Sequence, residues 1–495
     1  MTKNSCFSFL LVCFSMVTFA QSPKRGIAYG KNSTADLLAL KPGISWWYNW
    51  GSLPENDTNT NYAAIGVEYV PMAWGQVSDT DVQSFINKIK PGAKYLLAFN
   101  EPNFNDGARL TPQEAVNAWK NVEKIAAAKN LEIVSASPAF NGPSNYGGYT
   151  SPVAWHDQFF LLCPDCKVDY IAFHTYDSSS GSVIGVTGLL KKYNRPVWVT
   201  EFANRVIQTA DQKTTFMKEI ITSFENDPDI YRYSWFTGRV DPTWTDMLEG
   251  QLLAAQSGVL KPIGTDYINT TYTSKKTNIP GRIIANKHYR RKGTSLQNTT
   301  DSGTGQNVSL IDLGDWNEFM LQVDNPGTYN LNFRVASLTA PGKFDVLIND
   351  IVVKTDETFP ATGGTQTFTN KTVNGIVLPG GEVYLKIKFK SNDMSFNYID
   401  VTAAVTLGIN DPVTEKDFFT IYPNPIKSQA TLHIKSTDTE PLILKIVDMK
   451  GSICYSSDAY FTNEDIKIGD KLSSGVYIVT ATYGTTVKSL KIIKN

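Results

Sequence analysis

The chain has 495 residues, with 46 Lys and Arg against 47 Asp and Glu and a formal net charge of −1. That length calls for about two to four domains, and with no long run of one charge sign, nothing favours nucleic acid or an anionic membrane surface as a partner. Aromatic residues make up 12%, ten Trp among them, which suits stacking on sugars as well as ordinary cores.

Residues 1–20 (MTKNSCFSFLLVCFSMVTFA) carry a Lys near the start, an apolar stretch and a small-x-small end at Thr18-Phe19-Ala20. This pattern predicts a signal peptide removed after Ala20. No later segment has the length and apolarity of a membrane span, so an exported chain without a transmembrane segment is expected. Three cysteines remain after residue 20. Cys163 and Cys166 form one CxxC with no second pair, which does not support a four-Cys zinc site. In an exported chain this spacing favours a local disulfide over free thiols.

From residue 21 to about 272, short apolar strands alternate with helical segments. The strands are RGIAYG, ISWWYNW, VEYVPMAW, YLLAFNEPN, EIVSASPAF, YIAFHTYD, VWVTEFA and IYRYSWF. Helical patterns include DVQSFINKIK, TPQEAVNAWKNVEKIAAAKN, VIGVTGLLKKYN and DQKTTFMKEIITSFEN. In TPQE, Thr caps, Pro opens the first turn and an acid follows. Eight strands alternating with helices predict an α/β fold, a (β/α)₈ TIM barrel. The rival open doubly wound sheet lacks a glycine-rich loop after its first strand.

Barrel chemistry sits where strands end at the C-terminal face. Glu101 ends the fourth strand, after Asn100, and Glu201 ends the seventh. His174 and Tyr176 end the sixth. Trp50, Trp74 and Trp235 end the second, third and eighth. Each alone has an ordinary structural explanation: a helix-start acid, a satisfied core histidine, packing aromatics. Two carboxyls at one mouth among aromatics are what double-displacement glycoside hydrolysis requires, one to protonate the leaving oxygen and one to attack the anomeric carbon.

Residues 275–405 lose helical periodicity and show alternating runs such as SLIDLGDW and EVYLKIKFK, split by turns such as Asn325-Pro326-Gly327. They predict a β-sandwich. A polar linker at 406–417 precedes a third, smaller all-β unit at 418–495. The whole is thus a barrel followed by two all-β sandwich domains.

The motifs GISWWYNW, VEYVPMAWG, LLAFNEPN, SPAF, DYIAFHTYD, VWVTEFA and QSGVLKPIG resemble glycoside hydrolase family 128, the Asl1-like catalytic core of clan A. The resemblance implies retaining cleavage of β-1,3-glucan without a catalytic cofactor or metal. It implies Glu101 as acid/base, Glu201 as nucleophile and Asn100 on the 2-hydroxyl. His174 and Tyr176 then line the site near the nucleophile, and Trp50, Trp74 and Trp235 stack on sugar. Another β-glucan as substrate, or a non-catalytic glycan-binding surface protein, stays open.

Within 275–405, DSGTGQNVSLIDLGDWNEF, TGGTQTF and SFNYID resemble carbohydrate-binding module family 6. Asn397 matches the usual sugar contact and Phe368 is an aromatic nearby. Leu310 and Thr365 stand where such modules usually carry aromatic platforms. Calcium is common in such modules, but no residues here fix a site. FTIYPNP, LKIVDMKG, LSSGVYIVTA and KSLKIIKN resemble a type IX secretion sorting domain. The expected partners are a β-glucan and the type IX machinery, the expected location is outside the cell or on its outer surface, and the expected state is a monomer. Deletion of 275–495 is expected to leave the barrel active.

Overall fold

The computed structural model describes residues 21–140, 145–271, 276–302, 305–404, 418–436, 439–449, 451–484 and 486–495. The signal peptide expected at 1–20 and the whole of the linker expected at 406–417 lie outside the described residues.

Eight parallel strands build the first domain: β1 (Ser22–Ala28), β2 (Ile44–Tyr48), β3 (Glu68–Tyr69), β4 (Tyr95–Leu97), β5 (Glu132–Val134), β6 (Ile171–Tyr176), β7 (Val197–Ala203) and β8 (Ile230–Trp235). One sheet runs β3-β2-β1-β8-β7-β6, and β4 pairs with β5. Parallel bridges Met72–Leu97 and Val134–Tyr170 join the two pieces, which closes the ring in chain order. Strand β7 is buried along its whole length, the continuous apolar run expected of a parallel strand covered on both faces.

The helices are α1 (Thr34–Leu40), α2 (Asn56–Ile65), α3 (Val82–Lys88), α4 (Pro112–Lys129), α5 (Pro152–Leu162), α6 (Ser180–Leu189), α7 (Ala210–Asn226) and α8 (Pro262–Asn269). Helix α4 starts as its sequence predicts. Thr111 caps, Pro112 opens the turn, and Glu114 returns a bond to the Thr111 backbone; Asn130 ends the helix in a left-handed conformation. Cys163 and Cys166, just past α5, form a disulfide. No described helix is long and apolar enough to cross a membrane.

The next twelve strands are β9 (Thr277–Ile279), β10 (Gly281–Ile284), β11 (Arg290–Lys292), β12 (Ser295–Asn298), β13 (Gln306–Ile311), β14 (Trp316–Val323), β15 (Gly327–Ser337), β16 (Gly342–Ile348), β17 (Ile351–Phe359), β18 (Thr369–Leu378), β19 (Gly381–Phe389) and β20 (Met394–Ala403). They form two sheets, β12-β13-β20-β15-β18 with β10 on β20, and β11-β14-β19-β16-β17 with β9 on β14. Alternate residues such as Leu331, Phe333, Val346, Leu385 and Ile399 fill the core.

Barrel and sandwich belong to one compact unit, and residues 405–495 form a second. In the second, β21 (Phe418–Tyr422), β22 (Ala430–Lys435) and β25 (Asp465–Ile468) make one sheet. The other is β24 (Ile453–Phe461), β23 (Pro441–Asp448), β26 (Gly475–Tyr483) and β27 (Thr486–Lys494). Leu432, Leu444, Ile446, Val479 and Ile492 close its core.

Candidate active site

Inward positions along β6 follow the two-residue strand period. Ile171 and Phe173 join the core beneath the helices, whereas Ala172 lies among the residues of the barrel interior. His174 and Tyr176 continue that inward series to the mouth.

Strand β7 needs one more device. Phe173 pairs with Val199 and His174 with Glu201, so Thr200 is an extra residue in β7. Such a bulge re-aims the side chains beyond it. Thr200 Oγ1 reaches Ser137 Oγ inside the barrel at 3.1 Å, and Glu201 still turns into the mouth rather than out toward the helices.

Glu101 arrives by a different route. Its φ is 40°, in the left-handed region that is costly for a residue with a Cβ. Its N–H donates to Ser137 O at 3.1 Å, and Phe104 N–H returns to its carbonyl at 3.0 Å. Trp50, with φ 63°, is also left-handed. Two residues of the mouth thus sit in backbone conformations that the surrounding loops impose.

Glu201 is nearly buried, with 4% of its side chain exposed, against 20% for Glu101. Three donors converge on it. Tyr48 Oη donates to Oε1 at 2.9 Å, Trp50 Nε1 to the same oxygen at 2.8 Å, and the Tyr176 hydroxyl to Oε2. His174, fully buried, lies between the carboxyls. Its Nδ1 is 2.8 Å from Glu101 Oε1 and its Nε2 is 3.4 Å from Glu201 Oε1.

Burial pushes the Glu201 carboxyl above its ordinary value; the His174 charge and the Tyr176 and Trp50 donors pull the other way without cancelling it. For His174, burial disfavours the charged form, but the charges of Glu201 and Glu101 outweigh it and raise its pKa. The imidazole thus stands between two carboxyls, both of which favour its charged form.

One donor atom from each of Glu101, His174 and Glu201 lies within 4.8 Å of the others. This is the one cluster among the described residues with metal-binding spacing. Both Glu201 oxygens are already engaged by O–H and N–H donors, a setting that suits an anion more than a metal ligand.

The structure therefore brings Glu101, Glu201, His174, Tyr176 and Trp50 together. Asn100 precedes Glu101 at the same strand end, 8% exposed, and its Oδ1 has no partner among the described residues. Trp74 is on the rim, 42% exposed, with its carbonyl bonded by Asn100 N–H at 2.8 Å.

Trp235 is a correction. It is fully buried among Phe202, Phe216 and Tyr267, and its Nε1 donates to Gly250 O at 2.8 Å. It faces the helix layer, one residue out of phase with the mouth. Phe236, the next residue, takes the inward place, 6.0 Å from the Trp50 ring and 5.7 Å from the Tyr176 ring; a cis peptide bond follows it.

Tyr48 and Phe236 are the site residues that sequence reasoning missed. Both sit in aromatic strands where the phase, not the residue type, distinguishes site from core.

In the sandwich, Asn397 is likewise a correction. It is fully buried, and its Nδ2 donates to Asp301 Oδ2 at 2.9 Å. Arg334 grips the same carboxylate with two bonds of 2.8 and 2.9 Å and lies 5.9 Å from the Phe368 ring centre. Asn397 is thus committed inward, Phe368 is partly covered by a cation, and Leu310, at the position where such modules usually carry an aromatic platform, stands 73% exposed.

Comparison with known proteins gives three family matches: glycosyl hydrolase catalytic core at residues 26–267, carbohydrate binding module (family 6) at 285–403, and secretion system C-terminal sorting domain at 420–495. Among solved structures, a family 128 subgroup II endo-β-1,3-glucanase from Sorangium cellulosum is 34% identical, covering 51% of this chain and 100% of its own, with a TM-score of 0.48. One from Pseudomonas viridiflava is 37% identical with the same coverage and a TM-score of 0.46. Alkali-sensitive linkage protein 1 of Schizosaccharomyces pombe is 26% identical over 258 residues, 50% of this chain and 45% of its own. The chain thus spans less than half the length of that curated relative.

Proposed function

Because the chain belongs, through residues 26–267, to the glycosyl hydrolase catalytic core family, we propose that it is a secreted retaining glycoside hydrolase that cleaves β-1,3-glucan internally. The observation that carries this reading is the pair Glu101 and Glu201, with acid oxygens within 4.8 Å of each other and of His174. Inverting enzymes hold their carboxyls about 6.5–9.5 Å apart to admit a water, whereas retaining ones hold them about 5–5.5 Å apart.

Glu201, held by three donors, attacks the anomeric carbon. Glu101, more open to solvent, protonates the departing glycosidic oxygen. In the second step Glu101 takes a proton from the water that releases the glycosyl group from Glu201. Asn100 Oδ1 is a free buried acceptor beside Glu101, suited to a sugar hydroxyl. No metal or cofactor enters these steps. The β-1,3 linkage rests on the resemblance of the strand-end motifs to family 128. The sorting domain at 420–495 marks the chain for secretion or attachment to the cell surface.

The test is hydrolysis of linear β-1,3-glucan beside cellulose, mixed-linkage glucan, xylan and mannan, with the products sized. Short oligosaccharides from the β-1,3-glucan alone, absent with Glu201→Ala, are expected. Turnover that survives Glu201→Ala, or appears only on another polymer, overturns the site or the linkage respectively.

A further inference from the structure

An aromatic row leaves the catalytic centre on the Glu201 side. Trp50 holds Glu201, Phe236 lies 6.0 Å from the Trp50 ring, and Trp244 lies 6.2 Å from Phe236 with the two rings near-parallel at 27°. Trp244 belongs to the loop between β8 and α8. With these neighbours it remains 43% exposed, so the row ends in an open aromatic face contiguous with the site instead of an isolated surface side chain.

The ring is not loose. Arg205, from the loop after β7, lies 5.4 Å from its centre and is itself held by Asp246 at 2.6 Å. Lys213 Nζ ties the two loops together through the carbonyls of Asn204, Val206 and Asp246 at 2.7, 2.6 and 2.7 Å. Trp244 N–H bonds Asp241 O at 2.9 Å, and Met247 N–H bonds Trp244 O at the same distance. A rigid, open aromatic face is what binding of a sugar ring requires, since little side-chain entropy is lost on contact.

We propose that Trp244, braced by Arg205, is the platform of a glycone subsite beyond the sugar attacked by Glu201. The inference rests on the reading of the site given above. The side of the scissile bond follows from chemistry. The nucleophile contacts the glycone, the acid/base faces the leaving group, and the row is continuous with Glu201's donors rather than with Glu101. Trp244 would then hold the chain both before cleavage and while it is esterified to Glu201.

The test compares the full chain with its Trp244→Ala, Trp244→Phe and Arg205→Gln variants on 4-nitrophenyl β-1,3-gluco-oligosaccharides of increasing length and on linear β-1,3-glucan. In the unaltered protein kcat/KM rises with each added glycone unit up to the Trp244 platform. Trp244→Ala removes that rise, with a loss of about tenfold on the longest substrates, expressed mainly in KM, the order expected for one aromatic contact. Trp244→Phe recovers part of it and Arg205→Gln loses part. An undiminished rise in both Trp244 variants overturns the subsite and leaves the catalytic reading intact. Failure of the unaltered protein on all these substrates overturns the catalytic reading, and the subsite with it.

Discussion

Glu201 illustrates how residue-level electrostatics sets the working pH. An attacking carboxylate must be ionised, so any influence that raises its pKa moves the acid limb of kcat/KM to higher pH. Burial raises it, and the Tyr176 hydroxyl bond is among the groups holding it down. Tyr176→Phe removes a donor that favours the charged form. The acid limb is therefore expected to move upward, with kcat/KM in mildly acidic buffer falling on the order of tenfold. A pH profile of the variant checks this, and an unmoved limb would assign it to another group. Glu101, Glu201, His174, Tyr176 and Trp50 were legible in the sequence because strand ends in a barrel share one face. Trp235 was not, because IYRYSWF has aromatics in both phases and only the register tells which points inward. Tyr48 was hidden in the same way, inside an aromatic run that reads as core.

At the scale of elements, the active site depends on two local departures from regular strand. One is the extra residue in β7, which lets both Thr200 and Glu201 turn toward the barrel interior. The other is the tight loop after β4. A Cβ at Gly107 would stand 2.1 Å from the Glu101 carbonyl oxygen, so the loop closes over Glu101 only with glycine there. Gly107→Ala is expected to displace Glu101, costing about 1–3 kcal/mol of stability and a larger share of kcat than of KM. Thermal unfolding together with initial rates checks both; a normal kcat would mean that the loop adapts without moving the acid. Helices α4 and α7 could be read from capping boxes and amphipathic spacing. Helix α5, with PVAWHDQFFLL, starts on a Ser151 cap with Pro152 in its first turn and buries Trp155, His156 and Phe159 on one face, but Leu161 and Leu162 lie exposed, so its apolar pattern is blurred by hydrophobic residues on the outer side. Neither departure from strand geometry has a sequence signature, because a bulge or a left-handed Glu is selected by what packs around it.

At the scale of the molecule, the sandwich seals the lower end of the barrel instead of hanging from it. Trp316 of β14 joins the barrel interior cluster and meets the Tyr231 ring at 5.8 Å. Arg290 of β11 lies 4.4 Å from the same ring and pairs with Glu318 at 2.6 Å, both side chains almost wholly buried. Tyr289 donates to Glu225 of α7 at 2.8 Å, Arg291 pairs with Asp229 at 2.6 Å, and Lys94 beside β4 pairs with Asp350 at 2.9 Å. The expectation that the barrel works alone after loss of 275–495 is therefore revised: a chain ending at 272 would strip Tyr231, Glu225 and Asp229 of the partners that the sandwich supplies. Residues 21–404 are expected to unfold in one transition at a clearly higher temperature than residues 21–272. Within the longer chain, Glu318→Ala leaves Arg290 buried and uncompensated, a loss of about 3–5 kcal/mol. Calorimetry on the three proteins distinguishes a floor from an appendage: equal midpoints for the long and short chains would make the sandwich an independent module. A single Glu318→Ala transition whose midpoint falls toward that of the short chain would place the barrel's stability in residues that its own sequence does not contain.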